Sequence, residues 1–128
     1  MTDQSNASVK PRWRSRLRWD DHDHTTHDGR TYELWAHGCR ADDRGRYPRH
    51  DEYFVHQVLD NGNTHPEPLS HALGSDKRRA LRKAELFVLG WRNAPGHRSF
   101  DHGYREMWRA PDGQLHPIAD VLTGVIPH

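Results

Sequence analysis

The sequence predicts an α+β fold. The expected form is a small antiparallel sheet of three to five strands with one main amphipathic helix packed on it, in the order ββ(β)α, followed by a C-terminal hairpin. Three observations carry this. Ala80, Ala84, Phe87, Val88 and Trp91 recur at i, i+4, i+7, i+8 and i+11, along one face of a helix. Residues 31–37 (TYELWAH) and 52–59 (EYFVHQVL) alternate with the period of a strand and carry aromatic and β-branched side chains. Pro111-Asp112-Gly113, between two short apolar runs, has the chemistry of a tight turn.

Leu, Ile, Val and Phe total 21 of 128 residues, a low share for a folded chain. Five Trp and four Tyr add large buriable surfaces, and the net charge is only +1. A small core with much irregular structure around it is the expectation. The division is a flexible leader over 1–11 and a single α+β domain over 12–128, within which 12–30 can form a basic and acidic arm.

In chain order, residues 12–19 (RWRSRLRW) set Trp13, Ser15, Leu17 and Trp19 on one side and Arg12, Arg14, Arg16 and Arg18 on the other. Paired to a sheet, this is an edge strand protected by charge. Left unpaired, it is an arginine-rich arm with interleaved Trp, suited to phosphate contact plus base stacking. Residues 20–30 (DDHDHTTHDGR) follow, an acidic loop able to pair with that arm. Their His22, His24 and His27 with flanking Asp have the donor types for a divalent metal. The run resembles the HxHxDH motif of the metallo-β-lactamase superfamily over six residues only, with Thr26 where the motif has Asp. Nothing of that family is carried to this chain.

The two strands come next, 31–37 and 52–59, separated by a polar loop over 38–51. His37 and His56 sit on adjacent predicted strands and are placed to face one another. Asp60-Asn61-Gly62 then signals a turn, and Pro66 and Pro68 confine the returning segment to an irregular edge position.

The helix spans 75–91, with Ser75 as its N-cap and Gly90 weakening the last turn. Its first two turns carry Lys77, Arg78, Arg79, Arg82 and Lys83, where the helix dipole disfavours cations. They are expected on a face turned to water. A polar connector over 93–103 leads to the second hairpin, and the tail over 119–128 is apolar enough to dock on the core or against a second copy.

Several chemistries are struck off. There is no GxSxG, GxxxxGK[ST], GxGxxG or HExxH. Cys39 is alone, so neither an internal disulfide nor a zinc site built on several Cys is available. The lone thiol and the lack of a long apolar run point to a cytoplasmic protein without a membrane span. Sixteen Arg against three Lys favour planar, bidentate contacts with anions.

The expected function is therefore a small non-enzymatic binding protein. Its Arg-rich surface (Arg12, Arg14, Arg16, Arg18, Lys77, Arg78, Arg79, Arg82 and Lys83) would contact nucleic acid or an acidic protein. The alternatives are an inhibitor or adaptor that binds only protein, and a metal-dependent enzyme built on His22, His24 and His27. No cofactor is expected under the first two readings and a divalent metal under the third; homo-oligomerisation through the tail is open.

Overall fold

The structure is a computed structural model that describes residues 10–39, 50–95 and 105–128. The leader expected over 1–11, the loop over 38–51 and the connector over 93–103 fall mostly outside the described residues. The fold is α+β. Strands β1 (His24–His27), β2 (Arg30–Cys39) and β3 (His50–Val58) form one antiparallel sheet in that order. Helix α1 (Lys77–Val88) follows. Strands β4 (Arg92–Asn93), β5 (Met107–Arg109) and β6 (Leu115–Pro117) form a second antiparallel sheet, and a short helix α2 (Ile118–Leu122) follows it.

The β2–β3 pair explains itself from the alternation. Leu34 faces Val55 across the ladder, and both are buried against α1 with Ala80, Ala84 and Leu86. Strand β1 is a gain over the sequence reading, which left 24–27 in a loop. His27 pairs with Arg30 across Asp28-Gly29, both at positive φ (50° and 76°). That is the primed turn for which Asp-Gly is the standard signal.

Beyond β3, Gly62 at φ 87° closes the expected turn, and residues 63–74 return along the outer edge of the strand without forming a regular one. Pro66 and Pro68 cannot donate to a ladder. The edge is satisfied piecemeal: His65 N–H bonds Gln57 O, Leu69 N–H bonds Val55 O, and the Ser70 hydroxyl accepts from Val55 N–H at 2.9 Å.

Helix α1 starts one residue later than the sequence suggests. Asp76, not Ser75, is the N-cap, and its carboxylate accepts Arg79 N–H at 3.0 Å. A charged cap serves better here, because it opposes both the helix dipole and the cations that follow. Gly90 does not fray the helix; it ends it. At φ 103° it is the left-handed residue of a Schellman motif, with Trp91 N–H bonded to Leu86 O and Gly90 N–H to Phe87 O.

The core continues past the helix into the second sheet. Trp91, Trp108, Ile118, Val121 and Leu122 join the cluster of Leu34, Val55 and Leu86. The tail thus docks on its own chain. Packing on several sides also corrects the expected solvated face of α1. Lys83 and Glu85 are only 6% and 1% exposed.

Candidate anion-binding surface

Residues 10–19 do not join a sheet. They run as an extended arm over the side of α1 remote from β2 and β3, and the predicted alternation survives intact. Trp13, Leu17 and Trp19 are half-buried, with Trp13 and Trp19 packed on the core, while Arg12, Arg14, Arg16 and Arg18 are exposed. What replaces the missing ladder is one side chain. The Glu85 carboxylate accepts Arg16 N–H at 2.8 Å, Leu17 N–H at 3.2 Å and the Ser15 hydroxyl at 2.5 Å. His128 Nε2 donates to it at 2.7 Å.

A buried carboxylate without partners would be strongly destabilising. Burial pushes the Glu85 carboxyl up. The bonds from His128, Ser15, Arg16 and Leu17 outweigh that, and the group is held below its ordinary value of 4.5. Glu85 is therefore an ionised anchor that fixes the arm's backbone.

The arm is also clamped from the tail. The Trp13 ring stacks on His128 at 4.0 Å between centroids, and the Arg82 guanidinium lies over the Trp13 ring, 5.5 Å from its centroid. An Arg16 guanidinium nitrogen donates to His128 O. Gly124, at φ 82°, lies so close to the arm that a Cβ there would sit 2.0 Å from Arg12 O. Only glycine fits.

The cations of α1 fare differently. Lys77 pairs with Asp23 at 2.9 Å, and that hydrogen bond raises its pKa. Arg82 donates to Leu122 O at 2.7 Å. Lys83 is buried and bonded to Glu106 at 3.1 Å, which also accepts the Trp108 indole N–H. Arg78 and Arg79 remain exposed. With Arg82 they border a concavity against Leu122 and Thr123, and Arg78 also borders the crevice lined by Trp13 and Trp19. The arm thus runs beside Arg78 and Arg82, some sixty residues away in sequence, through Trp13, Ser15 and Trp19.

The acidic loop takes little from the arm. Among the described residues no ion pair joins Arg12, Arg14, Arg16 or Arg18 to a carboxylate. Asp20 instead caps its own turn, accepting the backbone N–H groups of His24 and His22 at 2.9 Å; the first of these chiefly lowers its pKa.

The three histidines of the metal reading are not brought together. His22 lies beside Asp21, His24 bonds Glu33 at 3.2 Å, and His27 lies beside Asp28. Among the described residues no group of three His, Cys, Asp or Glu could hold a metal ion. The Cys39 side chain lies outside what is described.

His37 and His56 do meet, with their Nε2 atoms 2.8 Å apart. His56 is fully buried and its Nδ1 donates to His65 O at 2.8 Å. In the neutral pair His56 Nε2 must then accept from His37 Nε2–H. Trp35 and Phe54 flank the two rings. The arrangement is a polar tie across the sheet's outer face, with no third ligand among the described residues.

Glu85 is the residue sequence reasoning missed. It falls within a helix rich in charge, and only its position opposite Ser15–Leu17 reveals its role. No protein-family model, curated protein or solved structure matches this chain. No helix among the described residues is long and apolar enough to cross a membrane.

Proposed function

We propose that this protein is a non-enzymatic polyanion-binding module that holds nucleic-acid phosphate along the arm and the adjoining start of α1. The observation that carries the reading is the docking of the arm through Glu85. It turns Arg12, Arg14, Arg16 and Arg18 outward on a fixed backbone, while Arg78 stands exposed beside Trp13 and Trp19.

The arm's tryptophans face inward, so they do not offer rings for base stacking. Guanidinium contacts that stop at phosphate position the nucleic acid without reading its base sequence. Lys77, Arg82 and Lys83 bind their own molecule, as does the Arg16 guanidinium through His128 O, so the free contact set narrows to Arg12, Arg14, Arg18, Arg78 and Arg79.

Fluorescence anisotropy with a labelled oligonucleotide across a salt series tests this. About four phosphate contacts predict a loss of roughly a hundredfold in affinity between about 50 and 200 mM salt, with little dependence on sequence. Absence of binding at the low-salt end would remove the reading and leave an acidic protein as the partner for the same arginines.

A further inference from the structure

We propose that the cleft between the arm and the tail is a discrete site for linked phosphates, an oligophosphate chain of the kind found in a nucleoside triphosphate or at the 5′ end of a polynucleotide. This rests on the polyanion reading and sharpens it, from a charged margin to one defined pocket.

The cleft has a volume of about 600 Å³, within the range of small-ligand sites. Lys10, Arg12, Arg14 and Arg16 line it from the arm, and Gly124, Pro127 and His128 from the tail. No acidic side chain among the described residues lines it. The other basic concavities differ: Asp76 borders the one at Arg78 and Arg79, and Asp20 borders the one at Arg18. Three cations with no partner among the described residues, Lys10, Arg12 and Arg14, thus line one recess beside Arg16, whose guanidinium bonds His128 O.

That concentration of like charge is unfavourable unless an anion fills it. Guanidinium forks match phosphate oxygens two at a time, and several linked phosphates can answer several forks at once. The recess is also held in shape before any ligand arrives. Glu85 fixes the backbone at Arg16 and Leu17, Trp13 is stacked on His128, and the Arg12 backbone rests directly on Gly124. Preorganised donors lose less freedom on binding than mobile surface side chains do.

The test uses the full chain and two oligonucleotides of one sequence, one ending in a 5′-triphosphate and one in a 5′-hydroxyl. Sodium tripolyphosphate serves as competitor, with ionic strength held constant. The expected result is about tenfold tighter binding of the triphosphate end and its displacement by tripolyphosphate at one equivalent per chain. Calorimetry with tripolyphosphate alone reads the site free of any polynucleotide.

Gly124→Ala changes no charge but drives a methyl group into the Arg12 backbone, so it should erase the triphosphate preference while general oligonucleotide binding persists. Arg12→Ala with Arg14→Ala, both exposed, should abolish the calorimetric signal of tripolyphosphate and also weaken both oligonucleotides, with the fold intact by circular dichroism. Equal affinity for the two ends, with oligonucleotide binding intact, overturns the pocket and leaves the polyanion reading standing. A folded Gly124→Ala protein that keeps the preference also overturns it. No binding of either oligonucleotide overturns both.

Discussion

The arm and helix α1 carry comparable runs of positive charge, yet the fold treats them in opposite ways. In α1, three of the five cations are absorbed by the molecule: Lys77 by Asp23, Arg82 by Leu122 O and Lys83 by Glu106. Of the arm's four arginines, only Arg16 makes a side-chain hydrogen bond among the described residues. The difference is one of geometry. A helix turns its residues through all directions, so a helix enclosed by a sheet, an arm and a tail must satisfy charge on several faces. An extended segment has only two sides, so docking one leaves every residue of the other in water. Clustered charge in a sequence thus means more on an extended stretch than on a central helix.

The sharpest way to break this contrast is at Glu85. Glu85→Ala leaves the N–H groups of Arg16 and Leu17 and the His128 ring without their acceptor, and a loss of about 3–5 kcal/mol is expected in urea unfolding. Released from the helix, the arm should lose amide-exchange protection at Arg16 and Leu17 while β2 and β3 keep theirs. An unchanged exchange rate there would mean that Glu85 does not hold the arm.

Acid should act on the same anchor. The folded Glu85 carboxyl titrates below its ordinary value of 4.5, so its contribution is fully present above that pH. It is lost as pH falls through the lower folded value. The unfolding midpoint should fall below about pH 4.5 in the parent protein. In Glu85→Gln, which cannot ionise, the fall should be clearly smaller.

Lys83→Met comes next. It replaces a buried cation by an apolar chain of similar length and frees Glu106, which is partly exposed and can be rehydrated. A change within about 2 kcal/mol is expected, with oligonucleotide affinity unaltered. A marked loss of binding would place Lys83 in the contact surface after all.

Arg12→Ala with Arg14→Ala should change stability by less than about 0.5 kcal/mol, since neither side chain has a partner among the described residues. The salt slope of oligonucleotide binding should drop by about two contacts. A small effect that touches stability alone is expected at Trp19, whose buried indole N–H has no hydrogen-bond partner among the described residues. Trp19→Phe removes that donor along with some buried area, so the two changes oppose each other. Stability should shift by less than about 1 kcal/mol in thermal unfolding.

Much of this was legible in the residues. The apolar spacing from Ala80 to Trp91, the alternation in 31–37 and 52–59, and the turns at Gly62 and Gly113 are local signals, and each corresponds to an observed element. Asp28-Gly29 carried an equally local signal for the β1–β2 hairpin, masked by the polar His and Thr residues around it. Ser75 and Asp76 are both good caps, and composition does not choose between them.

What the sequence determined by itself was periodicity: which residues of the arm stand together and which segments are helix or strand, because these depend on neighbours a few residues away. Only the tertiary structure decided which charges are consumed. Glu85 meets Ser15, Lys83 meets Glu106 and Gly124 meets Arg12 across long stretches of chain. Contacts of that kind depend on how elements pack, and a local pattern holds no record of it.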